Sequence, residues 1–202
     1  MLQLIRKDFM LHRNILVILL GVLILYLVLG APPIWVGLVF ILVLSMSTFG
    51  NDEKATINLL LNSLPFTRKE IVSSKYLSVL IYTVVITVLL YVGSLIIHGT
   101  NMEWQGIIFM TMLSLLSLSF MLPFAYQFAS KYLMIAFLVL SAVYFAVVTM
   151  FVPNLNDIIR EFVGTLVSLQ SAIPYLMVCA VVLLVFALSW VLSIRIYEKK
   201  VF

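Results

Sequence analysis

Charged side chains are scarce in this chain. Only 10% of its 202 residues are charged, whereas 64% are hydrophobic. A soluble domain has about a quarter of its residues charged and about half apolar. Its interior is too small to hide the surplus of apolar side chains found here. The composition therefore excludes a soluble globular protein and indicates that lipid surrounds the chain.

Motifs for catalysis and metal binding are missing as well. The single cysteine, Cys179, lies inside an apolar run and can form no internal disulfide. His12 and His98 are far apart and belong to no His-Glu-x-x-His or Cys-x-x-Cys motif, so we predict no metal site and no enzyme. No Gly-x-x-x-x-Gly-Lys-Ser/Thr loop is present either. Any ATP-driven activity of this chain would therefore need a partner subunit to bind ATP and Mg, with no cofactor in the chain itself.

Six apolar stretches have roughly the length of a transmembrane helix. They lie near Asn14–Gly30, Ile34–Phe49, Tyr76–Ile97, Gly106–Tyr126, Leu133–Val152 and Ile173–Ile194. Ala31-Pro32-Pro33 joins the first two, and because proline removes backbone donors we predict a tight hairpin there. The predicted fold is all-α, a single polytopic membrane domain over residues 1–202.

The basic residues lie at the ends of the apolar runs. If the N-terminus is cytoplasmic, the cytoplasmic segments hold every lysine and arginine except Arg160. This positive-inside bias predicts that both termini are cytoplasmic. The basic residues form no stripe with interleaved aromatics, so nucleic acid is not an expected partner. A cleaved signal peptide over residues 1–30 is the rival interpretation, disfavoured by the length of its apolar run and by Pro32-Pro33.

Two segments outside the spans show apolar residues at helical spacing. Residues 1–13 predict an amphipathic helix on the inner membrane surface; the alternative is a basic start that only sets the topology. Residues 154–170 predict an amphipathic segment on the extracellular side, or a helix that packs over the bundle. Within the six spans there is no Asp, Glu, Lys or Arg, which disfavours an ion-driven carrier.

The segment between the second and third spans, Asn51–Pro65, begins with charges and continues as a short apolar stretch. Pro65 biases the residue before it away from helix and so ends the stretch. The leucines of a short cytoplasmic helix would be left uncovered on a monomer. We therefore predict that a partner protein covers this segment.

Thr67 and Glu70 have the spacing of a helix capping box. The third helix is therefore predicted to begin at Arg68, in the cytoplasm, before it enters the bilayer. We interpret Lys69 and Lys75 as topological anchors.

Hydroxyl side chains recur in the second and fourth spans. The candidates for a substrate path are Ser45, Thr48, Thr111, Ser114 and Ser117. Small hydroxylated residues also allow close helix packing, which is the preferred interpretation; lining a path is the alternative. Tyr76, Tyr126 and Tyr132 lie near predicted cytoplasmic ends and are interpreted as interfacial anchors.

The residues from Asp52 to Tyr76 carry a family pattern. It consists of Asp52-Glu53-Lys54, Leu59-Leu60, Ser63-Leu64-Pro65, Thr67-Arg68-Lys69-Glu70-Ile71-Val72 and Lys75-Tyr76. On these residues and the six-helix layout, the chain resembles the bacterial type-2 ATP-binding-cassette (ABC) permeases, in the branch of small six-helix exporter subunits. That branch includes permeases for peptides such as the phenol-soluble modulins and bacitracin-type self-resistance pumps.

The resemblance implies that 51–65 is a coupling helix that docks on a separate ABC ATPase. Two ATPase copies and a second permease chain, identical or different, would complete an exporter in the bacterial plasma membrane. The cargo would be amphipathic or hydrophobic, such as a peptide toxin or antibiotic; the alternative is a non-transporting immunity or scaffold protein. The implied coupling residues are Asp52, Glu53, Lys54, Thr56, Leu59, Leu60, Ser63, Leu64, Pro65 and Arg68.

Overall fold

The computed structural model describes residues 2–30, 32–52, 67–99, 104–128 and 172–199, with single positions between 132 and 165. The regular structure of these continuous ranges is helical. The helices are α1 (Leu2–Val28), α2 (Pro33–Asp52), α3 (Arg68–His98), α4 (Trp104–Gln127) and α5 (Ala172–Lys199).

Three described helices are long and apolar enough to cross a bilayer. They are α3 over Arg68–Ile97, α4 over Trp104–Gln127 and α5 over Tyr175–Lys199. Two shorter apolar stretches, Leu16–Val28 of α1 and Pro33–Thr48 of α2, lie beside them. The chain is a helical membrane protein, as the composition predicted.

Not every predicted span falls on described residues. The fifth span, near Leu133–Val152, and the extracellular segment 154–170 lie outside the continuously described ranges. The count of six spans and the cytoplasmic position of both termini stay predictions. The third, fourth and sixth predicted spans each lie within α3, α4 and α5 respectively.

Helix α1 joins two segments that the sequence separated. It runs without a break through residues assigned to a surface helix and to the first span. At 1.5 Å per residue, its 27 residues reach about 40 Å, more than the ~30 Å of hydrocarbon. The helix is therefore longer than the apolar layer is thick, and the placement of 1–13 on the inner surface stays a prediction.

The connection between α1 and α2 is short, as predicted. Gly30 has a φ of 72°, a left-handed conformation that glycine adopts without strain. Its amide donates to Leu27 O at 3.1 Å. Pro33 is the first residue of α2, where its missing N–H leaves no intrahelical bond unmade. The two helices leave this turn packed against each other.

Helix α3 lies at the centre of the described bundle, packed against all four other helices. Its buried side chains Val72, Val79, Ile86 and Leu90 recur at helical spacing. The most extensive helix contact is between α4 and α5. Helix α3 is therefore placed to pass a displacement to every other described helix.

A glycine allows α2 to approach its neighbours closely. A Cβ at Gly37 would collide with Met110 Sδ on α4 and lie 2.6 Å from Leu90 Cδ1 on α3. A side chain at this crossing of three helices would require Met110 and Leu90 to shift, so glycine permits the close approach.

Large apolar side chains cover the outward faces. Leu176, Val181, Leu184 and Leu188 of α5 are each at least 60% exposed. Such a surface would aggregate in water but suits hydrocarbon. The outward face of α5 therefore agrees with a membrane setting.

Candidate functional site

The segment predicted to couple to a partner joins α2 to α3. Asn51 and Asp52 complete α2. The other predicted coupling residues before α3, from Glu53 to Pro65, lie outside the described residues. Both helices that adjoin the segment are described, as are the side-chain contacts of α2 up to Thr48 and of α3 from Thr67 onward. We call the end of the bundle where α3 begins the proximal end; it holds residues 45–52, 67–76, 119–128 and 189–199.

The predicted capping box at the start of α3 is confirmed. Thr67 is the N-cap residue, in extended conformation, and its Oγ1 accepts from the Glu70 amide at 3.3 Å. The Thr67 amide donates to Glu70 Oε2 at 2.9 Å. These bonds satisfy two amides that a helix start leaves without partners. The helix is therefore well defined from its first turn, directly after the segment 53–66.

Arg68 ties the start of α3 to the end of α5. Its Nη1 donates to Tyr197 O at 3.2 Å and to Glu198 O at 2.8 Å. The last carbonyls of a helix have no intrahelical donors, and a cation there also interacts favourably with the helix dipole. Contact of Arg68 with an ATPase stays a prediction; the structure shows its guanidinium bound to α5.

Lys75 ties the first turns of α3 to the end of α2. The side chain is 3% exposed, and Nζ donates to Thr48 O at 3.3 Å. A buried ammonium requires hydrogen-bond acceptors because desolvation is costly. The interpretation of Lys75 as a topological anchor is therefore wrong: its side chain lies inside the bundle and binds α2 at Thr48, one turn before that helix ends.

A chain of hydrogen bonds crosses α3, α4 and α5 at the proximal end. The Tyr76 hydroxyl lies 2.8 Å from Ser189 Oγ and 2.7 Å from Ser193 Oγ. Ser189 Oγ in turn donates to Ser119 O of α4 at 2.6 Å. We call Tyr76, Ser119, Ser189 and Ser193 the tyrosine–serine network; all four residues are buried.

Pro123 explains why Ser119 O accepts from another helix. In a regular helix this carbonyl would accept from the amide four residues later. That residue is Pro123, inside α4, and proline has no N–H. Ser189 supplies the missing donor, in the way that neighbouring serines satisfy backbone groups freed by proline in membrane helices.

The direction of each bond in the network follows from the number of hydrogens. Ser189 has one hydroxyl hydrogen, which it gives to Ser119 O. Tyr76 must then donate to Ser189, and Ser193 must donate to Tyr76. The bonds all point the same way, an order in which each bond polarises and strengthens the next.

Aromatic contacts surround the same tyrosine. The Tyr76 ring stacks on Trp190 with centroids 5.3 Å apart and meets the edge of Phe186 at 5.2 Å. Trp190 Nε1 donates to Ser73 Oγ at 3.1 Å. Tyr126 packs edge-on against Tyr197 at 5.4 Å.

The interpretation of Tyr76 and Tyr126 as interfacial anchors is wrong. They are 0% and 6% exposed and pack between helices instead of facing lipid head groups. Their position near helix ends suggested an anchor, but it did not say which face of the helix they occupy. Tyr132 is exposed, as an anchor would be.

The predicted path residues form hydrogen bonds within their own helices. Ser45 Oγ donates to Ile41 O and Ser114 Oγ to Met110 O, each at 2.7 Å. Thr48, Thr111 and Ser117 likewise donate to carbonyls three or four residues earlier. Ser45, Thr48 and Ser114 are buried, whereas Thr111 and Ser117 are partly buried. Whether any of them lines a path stays a prediction.

The sequence reasoning missed the residues of the network on α4 and α5. Ser189 and Ser193 are one turn apart in the last predicted span, and Pro123 lies in the fourth. A proline in a span together with paired serines in another span is a usable signal for a bond between the two helices.

Other chemistry is limited in the described part of the chain. No group of three or more His, Cys, Asp or Glu side chains that could hold a metal ion occurs among the described residues. An apolar cavity of about 200 Å³ lies between α1, α2 and α3. Its lining residues are Leu16, Leu19, Leu20, Leu23, Leu44, Tyr82, Val85, Ile86 and Leu89.

Comparison with known proteins agrees with the membrane architecture. Residues 3–198 match the sequence model of the ABC-2 family transporter proteins. No curated protein and no solved structure matches the chain significantly. The family match covers nearly the full length, α1 to α5 included. The chain therefore belongs to the ABC-2 family of transporter proteins.

Proposed function

We propose that this chain is the permease subunit of an ABC exporter. The observation that carries the proposal is the family match over residues 3–198. The sequence has no phosphate-binding loop, so a separate ABC ATPase would bind ATP and Mg. Two ATPase copies and two permease chains would make the working unit in the bacterial plasma membrane.

The proximal end supports coupling through the segment 53–66. That segment joins Asp52 of α2 directly to the capped start of α3. Lys75 connects α3 to α2, and Arg68 connects α3 to α5. An ATPase that moved the segment would therefore act on several helices at once.

The proposed cargo is amphipathic or hydrophobic, such as a peptide toxin or an antibiotic. The predicted spans contain no acidic or basic side chain, and a path without charge suits a hydrophilic solute poorly. The hydroxyl residues Ser45, Thr48, Thr111, Ser114 and Ser117 are the candidates to meet such a cargo.

Reconstitution with an ATPase tests the proposal. The chain is purified with the ABC ATPase encoded beside it, and ATP hydrolysis is measured in lipid nanodiscs with and without the chain. We expect a stable complex whose hydrolysis rate depends on the chain. Leu60→Asp should abolish this dependence, because a charge would be desolvated at the docked surface.

Asn154→Asp is the control, since Asn154 is exposed and lies outside the six predicted spans. It places the same charge away from the predicted docking segment. A complex that does not form, or hydrolysis that is indifferent to Leu60→Asp, would favour a non-transporting immunity or scaffold protein. Uptake of a labelled amphipathic helical peptide into inside-out vesicles then tests export.

A further inference from the structure

We propose that the proximal ends of α3 and α5 form one rigid unit, and that Arg68 and Tyr76 are the positioning residues that carry movement from the segment 53–66 to α5. The transmission rests on the proposed function, whereas the rigid unit is a property of this chain alone.

Three contacts along α3 meet α5 in antiparallel register. Arg68 bonds to the carbonyls of Tyr197 and Glu198. Ser73 accepts from Trp190, five residues further along α3. Tyr76 bonds to Ser189 and Ser193. The nine residues of α3 from Arg68 to Tyr76, about 12 Å of helix, are thus held to α5 by directional bonds at both ends and near the middle.

The bonds at the inner end of this seam are hard to exchange. Tyr76 gives its hydrogen to Ser189, and Ser189 gives its own to Ser119 O. Sliding α5 along α3 would part the Tyr76 hydroxyl from Ser189 and Ser193. Sliding α5 along α4 would leave the Ser119 carbonyl without a donor in an apolar interior, because Pro123 cannot supply one. Rotation of Tyr76 would also break its stack on Trp190. A displacement of α3 is therefore expected to carry α5 with it.

The seam begins immediately after the segment 53–66. Thr67 caps α3, and Arg68 is the next residue. Because a capping box stabilises the first turn, we expect a displacement at the start of α3 to move the helix without first unwinding it. Movement at residue 66 would consequently reach the last turn of α5 through one side chain.

Distance measurements on the chain alone test the rigid unit. Spin labels are attached at Lys69→Cys and Lys199→Cys in a Cys179→Ser background, and pulsed electron resonance gives the distance distribution in nanodiscs. Lys69 and Lys199 are both exposed. We expect one narrow distribution, broadened by Arg68→Gln and by Tyr76→Phe. A broad distribution without either substitution, or no broadening with them, overturns the rigid unit.

Two substitutions serve as matched controls. Arg195→Gln removes an exposed arginine from the same end of α5, and Tyr82→Phe removes a buried hydroxyl from α3. Neither residue takes part in the contacts of the seam, so both variants should keep the narrow distribution. Broadening by both controls would show that the probe reports general loosening, and would overturn the assignment to Arg68 and Tyr76.

ATP hydrolysis in the complex with the ATPase tests the transmission. Arg68→Gln should reduce the stimulation by the chain about ten-fold, the effect of losing a charge-assisted hydrogen bond. Arg68→Lys, which keeps the cation, should restore part of it, and Tyr76→Phe should act in the same direction as Arg68→Gln.

If the unsubstituted chain stimulates hydrolysis but these variants stimulate it equally well, the transmission is wrong and the proposed function stands. If the unsubstituted chain itself gives no stimulation, the proposed function and the transmission fail together, and the distance data still decide the rigid unit.

Discussion

The hydroxyl side chains of α5 differ from those of α2 and α4 in what they bind. Ser189 and Ser193 bond to other helices. Ser45 and Ser114 bond to a carbonyl one turn earlier in their own helix. A bond between helices fixes their relative position, whereas a bond within a helix only satisfies the hydroxyl. Ser189 and Ser193 therefore hold helices together along the α3–α5 seam, whereas the hydroxyls of Ser45 and Ser114 do not join helices.

The difference depends on the availability of an acceptor. Helix backbones offer few free carbonyls at membrane depth, because each accepts from the amide four residues later. Pro123 frees Ser119 O, and the hydroxyl of Tyr76 offers both a donor and an acceptor. Serines near such groups form hydrogen bonds to another helix. Serines without such groups nearby donate to carbonyls of their own helix.

Removing the side chain at the centre of the seam should have the largest effect. Tyr76→Ala deletes a fully buried ring that contacts Trp190 and Phe186, together with the hydroxyl of the network. We expect the free energy of unfolding to fall by about 3–5 kcal/mol. Circular dichroism during denaturation in detergent measures it. Tyr91→Ala, at a 39% exposed position of α3, should cost less than about 1 kcal/mol; equal losses would contradict a special role for Tyr76.

The contact between α3 and α2 is expected to give the next largest effect. Lys75→Gln removes the buried charge that binds Thr48 O. Hydrogen bonds from charged groups contribute about 1.5–3 kcal/mol, so we expect a loss of that size in the same denaturation experiment. The control is Lys69→Gln, since Lys69 is exposed, and it should change stability by less than about 0.5 kcal/mol. Equal changes in the free energy of unfolding for the two substitutions would instead support the interpretation of Lys75 as a topological anchor.

The pairing of Pro123 with Ser189 can be tested by rescue. Ser189→Ala leaves Ser119 O without a donor, and we expect a loss of about 1 kcal/mol. Adding Pro123→Ala restores the amide four residues after Ser119 and should recover the part of that loss that comes from the Ser119 carbonyl. A double-mutant cycle from melting in detergent measures the coupling between the two substitutions. Additive effects would show that the proline and the serine act independently.

The sequence predicted the elements better than their contacts. The capping box of Thr67 and Glu70, the turn at Pro32-Pro33 and the helical runs of the third, fourth and sixth spans are local signals. Each depends on residues within one or two turns. The structure confirms these features.

The contacts of the proximal end depend on which helix lies opposite, and periodicity does not contain that information. Lys75 and Tyr76 were interpreted from their position near the start of a span, yet both face neighbouring helices. Arg68 was assigned to a partner surface by family resemblance, and its guanidinium binds α5. A helix end offers a basic residue two kinds of acceptor, those of a partner and those of the adjoining helix, and only the fold shows the second.

The smallest effect is expected for serines that bond within their helix. Ser45→Ala and Ser114→Ala each remove a hydroxyl whose acceptor keeps its intrahelical amide. We therefore expect a change in unfolding free energy of less than about 0.5 kcal/mol. Because stability stays constant, these two variants separate packing from a substrate path: if either alters peptide uptake into vesicles, the hydroxyl meets the cargo. Unchanged uptake with unchanged stability would leave close helix packing as its role.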